Sequence, residues 1–208
     1  QILNDDLNAF AASPRLAARH GYLAREKAVI ALLAGSSGTG HFSSGNGNFF
    51  SGADTALGVA SLTRAHQTFL GFTDTNGEPI GVTPSILLAP PGLAVLAQQL
   101  FADRYVNQTP ASNAAATDGN PHAGLFTPVV SPFLANAKIT GNSNTAWYLL
   151  ANPAELATVE VVYVEGRRAP TIEAVEPDFQ QLGMGFRTTY EFGAALHDPK
   201  GAVKFAGA

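Results

Sequence analysis

The stretch Ser13–Gly35, SPRLAARHGYLAREKAVIALLAG, constrains this chain more than any other. Ser13 is a good N-cap, and Pro14 suits the first helical position, where no N–H partner is needed. Gly35 supplies a left-handed C-cap, after which the Gly/Ser run cannot continue a helix. The spacing therefore predicts one long helix over residues 13–35, roughly 30 Å in length. Its apolar residues do not form one stripe. Leu16, Leu23, Ile30 and Ala34 share a face, while Tyr22, Val29 and Leu33 lie about 100–140° away. Such a helix is a spine, packed against a sheet and touching something else as well. Leu16, Leu23 and Ile30 are expected to be buried against strands from the C-terminal end of the chain.

The remaining elements follow from local signals. Gln1–Leu3 reads as a strand stub, and Leu7–Ala12 as a short amphipathic piece before the spine. The Gly/Ser/Asn-rich loop after Gly35 is held to the surface by Phe42, Phe49 and Phe50. It is no phosphate cradle, for it lacks GK[ST], a preceding strand and a following helix. A second helix is expected over Ser61–Phe72 with Ser61 as N-cap, and a tight turn at Asn76-Gly77. Ser85–Ala89 reads as a strand and Leu93–Tyr105 as a helix opened by Pro90-Pro91. Val106–Ala123 is polar and small, the composition of a mobile loop.

Leu125–Ser131 and Ala146–Leu150 read as strands, with an Asn/Gly turn over 136–144 between them. A helical turn follows at Asn152–Leu156. Val159–Val164, Gly185–Leu196 and Ala202–Phe205 supply terminal strands. The expected class is α+β with two lobes, the spine and terminal strands forming a discontinuous lobe around an inserted segment of roughly 59–157.

Composition narrows the function. Only 13% of the 208 residues are charged against 46% hydrophobic, so the surface must be unusually uncharged, which suits contact with other subunits. A net charge of −4 without a Lys/Arg cluster argues against a chain that grips nucleic acid. There is no cysteine for disulfides or thiolate metal sites. No apolar run is long enough to span a bilayer. The five histidines, His20, His41, His66, His122 and His197, show no metal-binding spacing. His20 falls on the Leu16/Leu23 face and reads as a core or interface residue. His197-Asp198-Pro199 reads as part of a turn rather than a base with its orienter. Glu173, Glu176 and Asp178 read as a solvated acidic loop. No nucleophile elbow, SxxK pattern or dinucleotide fingerprint occurs. No catalytic, cofactor-binding or metal residue is assigned, and no cofactor is expected.

Several strings resemble the major head subunits of Mu-type tailed phages: Asn4-Asp5-Asp6-Leu7, FSSGNGN at 42–48, Ala146-Trp147-Tyr148-Leu149, and Tyr190–Ala195 through Asp198-Pro199-Lys200-Gly201. Their order and spacing match along the whole chain. That resemblance implies the Hong Kong 97-like capsid fold. Residues 1–58, with the spine helix, and 158–208 would form its peripheral domain with an antiparallel sheet, and residues 59–157 an inserted α/β axial domain. The family's N-terminal arm and extended loop are missing, so the chain is expected to be a fragment, cut by a protease or by design, and monomeric when isolated. The implied role is structural and non-enzymatic, in the virion capsid and, during assembly, the host cytoplasm. The implied partners are copies of itself in pentamers and hexamers of an icosahedral shell around double-stranded DNA. Scaffold, decoration and portal proteins would join them, with only weak non-specific contact to DNA and none to membrane. Two alternatives stand beside it: a nanocompartment shell of the same fold, and an unrelated hydrolase whose site converges only in three dimensions.

Overall fold

A long helix and a mixed five-stranded sheet dominate the computed structural model, which describes residues 9–38, 40–106, 118–175 and 185–207. In chain order the elements are α1 (Ala9–Gly35), β1 (Phe49–Phe50), α2 (Val59–Leu70), β2 (Pro84–Ala89), α3 (Ala94–Ala102), β3 (Tyr105–Val106) and β4 (Asp118–Gly119). They continue with β5 (Thr127–Val130), β6 (Trp147–Ala151), β7 (Val159–Tyr163), β8 (Thr171–Val175), β9 (Gly185–Thr189), β10 (Phe192–Leu196) and β11 (Ala202–Phe205). The class is α+β. The expected strand at Gln1–Leu3 lies outside the described residues.

The chain divides into two compact units. One comprises Gln1–Val29 and Val161–Ala195, the other Ile30–Glu160 and Leu196–Ala208. In the larger unit the sheet runs β1-β11-β6-β2-β5. β1 pairs parallel to β11 and β5 parallel to β2, while β6 is antiparallel to both of its neighbours. The central strands are apolar on both faces, as strands covered on both sides must be. One face carries Leu87, Leu149, Val203 and Phe205, packed with Leu62, Ala65 and Phe69 of α2 and Ala97 and Leu100 of α3. Trp147 stacks on Phe205 with centroids 4.4 Å apart and gives its indole N–H to the Thr55 carbonyl at 2.9 Å. The opposite face carries Tyr148, which meets Phe42 edge-on at 5.5 Å.

In the smaller unit, β7 pairs with β10, and β8 with β9 in antiparallel register. The strands meet α1 through an aromatic–arginine cluster. Arg25 donates to the Tyr163 hydroxyl at 2.9 Å and the Tyr190 hydroxyl at 3.3 Å. Gly21 is required here, since a Cβ on it would stand 2.9 Å from Pro170 Cγ and 3.3 Å from Tyr190 Cδ1.

The spine differs from its sequence reading at its N-terminal end. It starts at Ala9 rather than after Ser13, absorbing residues 9–12 of the expected separate piece. Pro14 therefore stands in the second turn, where it forfeits one ladder hydrogen bond, a loss the rest of a 27-residue helix absorbs. Ile30 is buried and Leu23 half-buried, but Leu16 is 55% exposed. Within its unit α1 packs through the Gly21/Arg25 side, and Arg25 lies about 180° from Leu16 on the wheel. The helix ends at Gly35 as read, but Gly35 is its last helical residue and does not take a positive φ, so the left-handed cap expected there is not formed. The hydroxyls of Ser36 and Ser37 donate to the otherwise free carbonyls of Leu33 and Ala34 at 3.1 and 3.0 Å.

Other boundaries also move. α2 begins at Val59 with Gly58 as N-cap. Ser61 is at the third helical position, accepting from the Gly58 N–H at 3.0 Å and donating to the Ala56 carbonyl at 2.7 Å. The helix read as Leu93–Tyr105 is a 3-10 turn, Pro91–Leu93, followed by the shorter α3, and Tyr105 joins β3. Gly185–Leu196 is two strands on different partners, because Tyr190 turns toward Arg25 between them. β8 was unread in the sequence; its Glu173 is held on the strand by Arg187 at 2.5 Å, while Glu176 and Asp178 lie outside the described residues.

Candidate functional site

The most unusual chemistry of the larger unit is a buried amine. β11 is a four-residue strand, AVKF, buried throughout, and Lys204 is only 4% exposed. Alternation along the strand turns it away from Val203 and Phe205, onto the face that α1 closes. Its Nζ donates to Ser37 Oγ and reaches the Ala34 carbonyl at 3.5 Å, so it sits at the negative end of α1. The Tyr148 ring lies beneath it at 5.0 Å and Phe42 at 6.0 Å. Burial lowers the Lys204 pKa to about 8 and pushes the Tyr148 phenol above its ordinary value. The amine joins helix to sheet.

Asn48 completes this centre. Fully buried, it accepts from the Ser43 N–H at 3.0 Å and donates to the carbonyls of His41 at 2.9 Å and Pro199 at 2.8 Å. Its own carbonyl accepts from the Lys204 N–H at 2.8 Å. One side chain thus fixes the 41–48 loop and the 198–201 turn together. His41 is buried beside Phe42, and burial lowers its pKa, offset in part by Asp198. Its Nε2 has no hydrogen-bond partner among the described residues.

A second histidine serves the other end of the sheet. His122 Nε2 lies 2.9 Å from Thr63 Oγ1 and 3.3 Å from the Val59 carbonyl, and burial lowers its pKa. Asn120 accepts from the His122 N–H at 3.0 Å and donates to the carbonyls of Leu100 and Asp103, each at 2.8 Å. The stretch 106–123 expected to be mobile is therefore pinned to α2 and α3 at its end, while residues 107–117 lie outside the described residues.

Among the described residues these groups serve packing and tethering roles. A cleft of about 710 Å³ beside the start of α2 is lined by Asp54, Gln99, Asp103 and apolar side chains of α2 and α3. Its Ser61 hydroxyl is committed to helix capping. His20 and His197 are exposed, so the core reading of His20 is overturned by its place on the open side of α1. Asp198 accepts from the Lys200 N–H at 2.8 Å, the turn expected of His197-Asp198-Pro199. Among the described residues no group of three or more His, Cys, Asp or Glu side chains could hold a metal ion. No described helix is long and apolar enough to cross a membrane.

The sequence reading missed Lys204 and Asn48. A lysine between apolar residues in a short strand looks solvent-facing. Only the run of hydroxyls after Gly35 hints that a donor is wanted there.

The family model described as phage capsid protein matches residues 1–205. No curated protein matches the chain.

Proposed function

The chain belongs to the phage capsid protein family, structural proteins of the virion that assemble into its shell, and from that premise we propose that it is a major head subunit of a tailed bacteriophage or prophage. The match across residues 1–205 carries this reading. A long helix beside a short-stranded sheet, a weakly charged composition and buried polar groups spent on tethering all support it.

In this reading the fold is Hong Kong 97-like. Residues 1–58 and 158–208 form the peripheral domain and residues 59–157 the axial domain. The segment 106–123 is the loop nearest the capsomer axis, ordered by its neighbours. The work of such a subunit is geometric. Many modest contacts, repeated by symmetry in pentamers and hexamers, close an icosahedral wall without any one of them being strong. With a net charge of −4, the wall holds packaged DNA loosely, which favours filling and release.

Mass spectrometry of purified virions tests the assignment. The chain is expected among the most abundant virion proteins. Its absence from particles whose other structural proteins are detected would contradict the reading.

A further inference from the structure

Among the described residues two unlike surfaces stand exposed, one on α1 and one on the β7–β10 pair. The first is the side of α1 turned away from its strands. Arg15, Arg19 and Lys27 are exposed there together with Leu16 and the half-buried Leu23. Glu26 stands on the same helix, so positive character is strongest toward Arg15 and Arg19. The second is the outward face of the β7–β10 pair. Residues of β7 and β10 alternate, half-buried then exposed, and the half-buried set includes Tyr163, which meets Arg25. The outward set is Glu160, Val162, Gly193 and Ala195, with exposed Glu191 and Val164 at its margins. Val162 is 60% exposed.

Gly193 singles this face out. A glycine inside a strand weakens it and marks a place where another backbone comes close. Here the chain itself gives no reason for it, since a Cβ on Gly193 would meet nothing within 4 Å. With Ala195 beside it, the face offers two small residues next to the exposed Val162, with Glu160 and Glu191 near them. The α1 surface carries the opposite charge and larger apolar side chains, with Leu16 and Leu23 flanked by Arg15, Arg19 and Lys27.

We propose that the outward face of β7–β10 receives the outward side of α1 from a second copy of this chain. The inference rests on the shell-subunit reading and names the surfaces that reading requires. The surfaces differ, so the contact is heterologous, head to tail, and repeats from copy to copy until a rotation closes the ring. Leu16 of one copy lies over Val162 and Gly193 of the next. Arg15 and Arg19 lie near Glu160 and Glu191, steering the approach and fixing its register.

The sequence holds no cysteine, so introduced thiols give a clean test. Leu16→Cys and Val162→Cys are prepared separately, mixed, and oxidised mildly. Neither variant alone is expected to form disulfide-linked dimers. The mixture should, through the 16–162 peptide pair, and a chain bearing both substitutions should give a ladder. Arg15→Glu/Arg19→Glu should cut the cross-link yield at least tenfold, and Glu160→Arg/Glu191→Arg on the partner should restore it. Dimers from either single variant would overturn the heterologous contact. Electron microscopy of the same samples separates the two levels of failure. Closed shells without the 16–162 link overturn this contact and leave the shell reading standing. Protein that stays monomeric at every concentration overturns both.

Discussion

Replacing Lys204 by Met removes the buried amine while keeping chain length and most of the apolar stem. The magnitude comes from the fall in the Lys204 pKa from 10.5 to about 8. Between those values the unfolded chain holds a proton that the folded chain does not, so stability rises with pH. Burial of the ammonium is felt in full below about pH 8 and relieved as the pH climbs toward 10.5. At about 1.36 kcal/mol for each tenfold change, the whole window is worth about 3 kcal/mol, of which roughly 2 kcal/mol falls between pH 8 and 10. The Tyr148 phenol, raised above its ordinary value of 10.0, stays protonated in the folded protein while the unfolded phenol begins to ionise toward pH 10, an effect common to wild type and variant that cancels in their difference. Urea unfolding followed by fluorescence of Trp147, the only tryptophan, at pH 7, 8, 9 and 10 measures the effect. Wild type minus Lys204→Met should grow by about 2 kcal/mol from pH 8 to pH 10. At pH 7 the variant should lie within about 2 kcal/mol of wild type, because a desolvated charge and its hydrogen bonds nearly offset each other. A difference that stays flat across the pH series would refute the burial argument.

Gly141→Ala should destabilise by more than about 2 kcal/mol in thermal or urea unfolding, for Gly141 has φ near +78° and a Cβ there would stand 2.3 Å from the Ala34 carbonyl oxygen. Asn48→Ala removes three hydrogen bonds of a fully buried side chain and leaves the Ser43 N–H without its acceptor. The His41 and Pro199 carbonyls keep the Asn46 amide and the Ala202 N–H as donors, and the substitution should cost about 1–3 kcal/mol in the same assay. The two ends of the spine should respond differently. Leu16→Ala should change stability by no more than about 0.5 kcal/mol, whereas Ile30→Ala should cost about 2–5 kcal/mol.

What could be read from residues alone was what local chemistry decides. Gly35 ended the spine, Asn76-Gly77 made its turn with Gly77 at φ 85°, and the apolar run at 146–150 became a central strand. Leu62, Ala65, Phe69 and Phe72 proved to be one buried face. Misreadings arose where distant residues decide. Ser13-Pro14 looks like a helix start, but α1 is long enough to tolerate a proline in its second turn. Leu16 belongs to the stripe of Leu23 and Ile30 by spacing, yet only one end of that stripe is covered within the chain. β8 was invisible because Thr171–Val175 is short and holds an acid, and its pairing with β9 lies some fifteen residues away. The polar centre was equally hidden. Lys204 becomes a helix-end donor only when β11 is placed under α1, and no periodicity announces that. Absence of a catalytic motif was easy to see, but family membership needed whole-chain similarity, since a shell subunit carries its function in surfaces rather than in a signature.

Electron microscopy of particles formed by this protein is the most direct test. Closed icosahedral shells of uniform diameter are expected, with five- and six-fold capsomers whose density accepts α1 and, separately, the five-stranded sheet. Soluble protein that forms no shell under any assembly condition, together with a reproducible turnover abolished by a single His or Ser substitution, would contradict it.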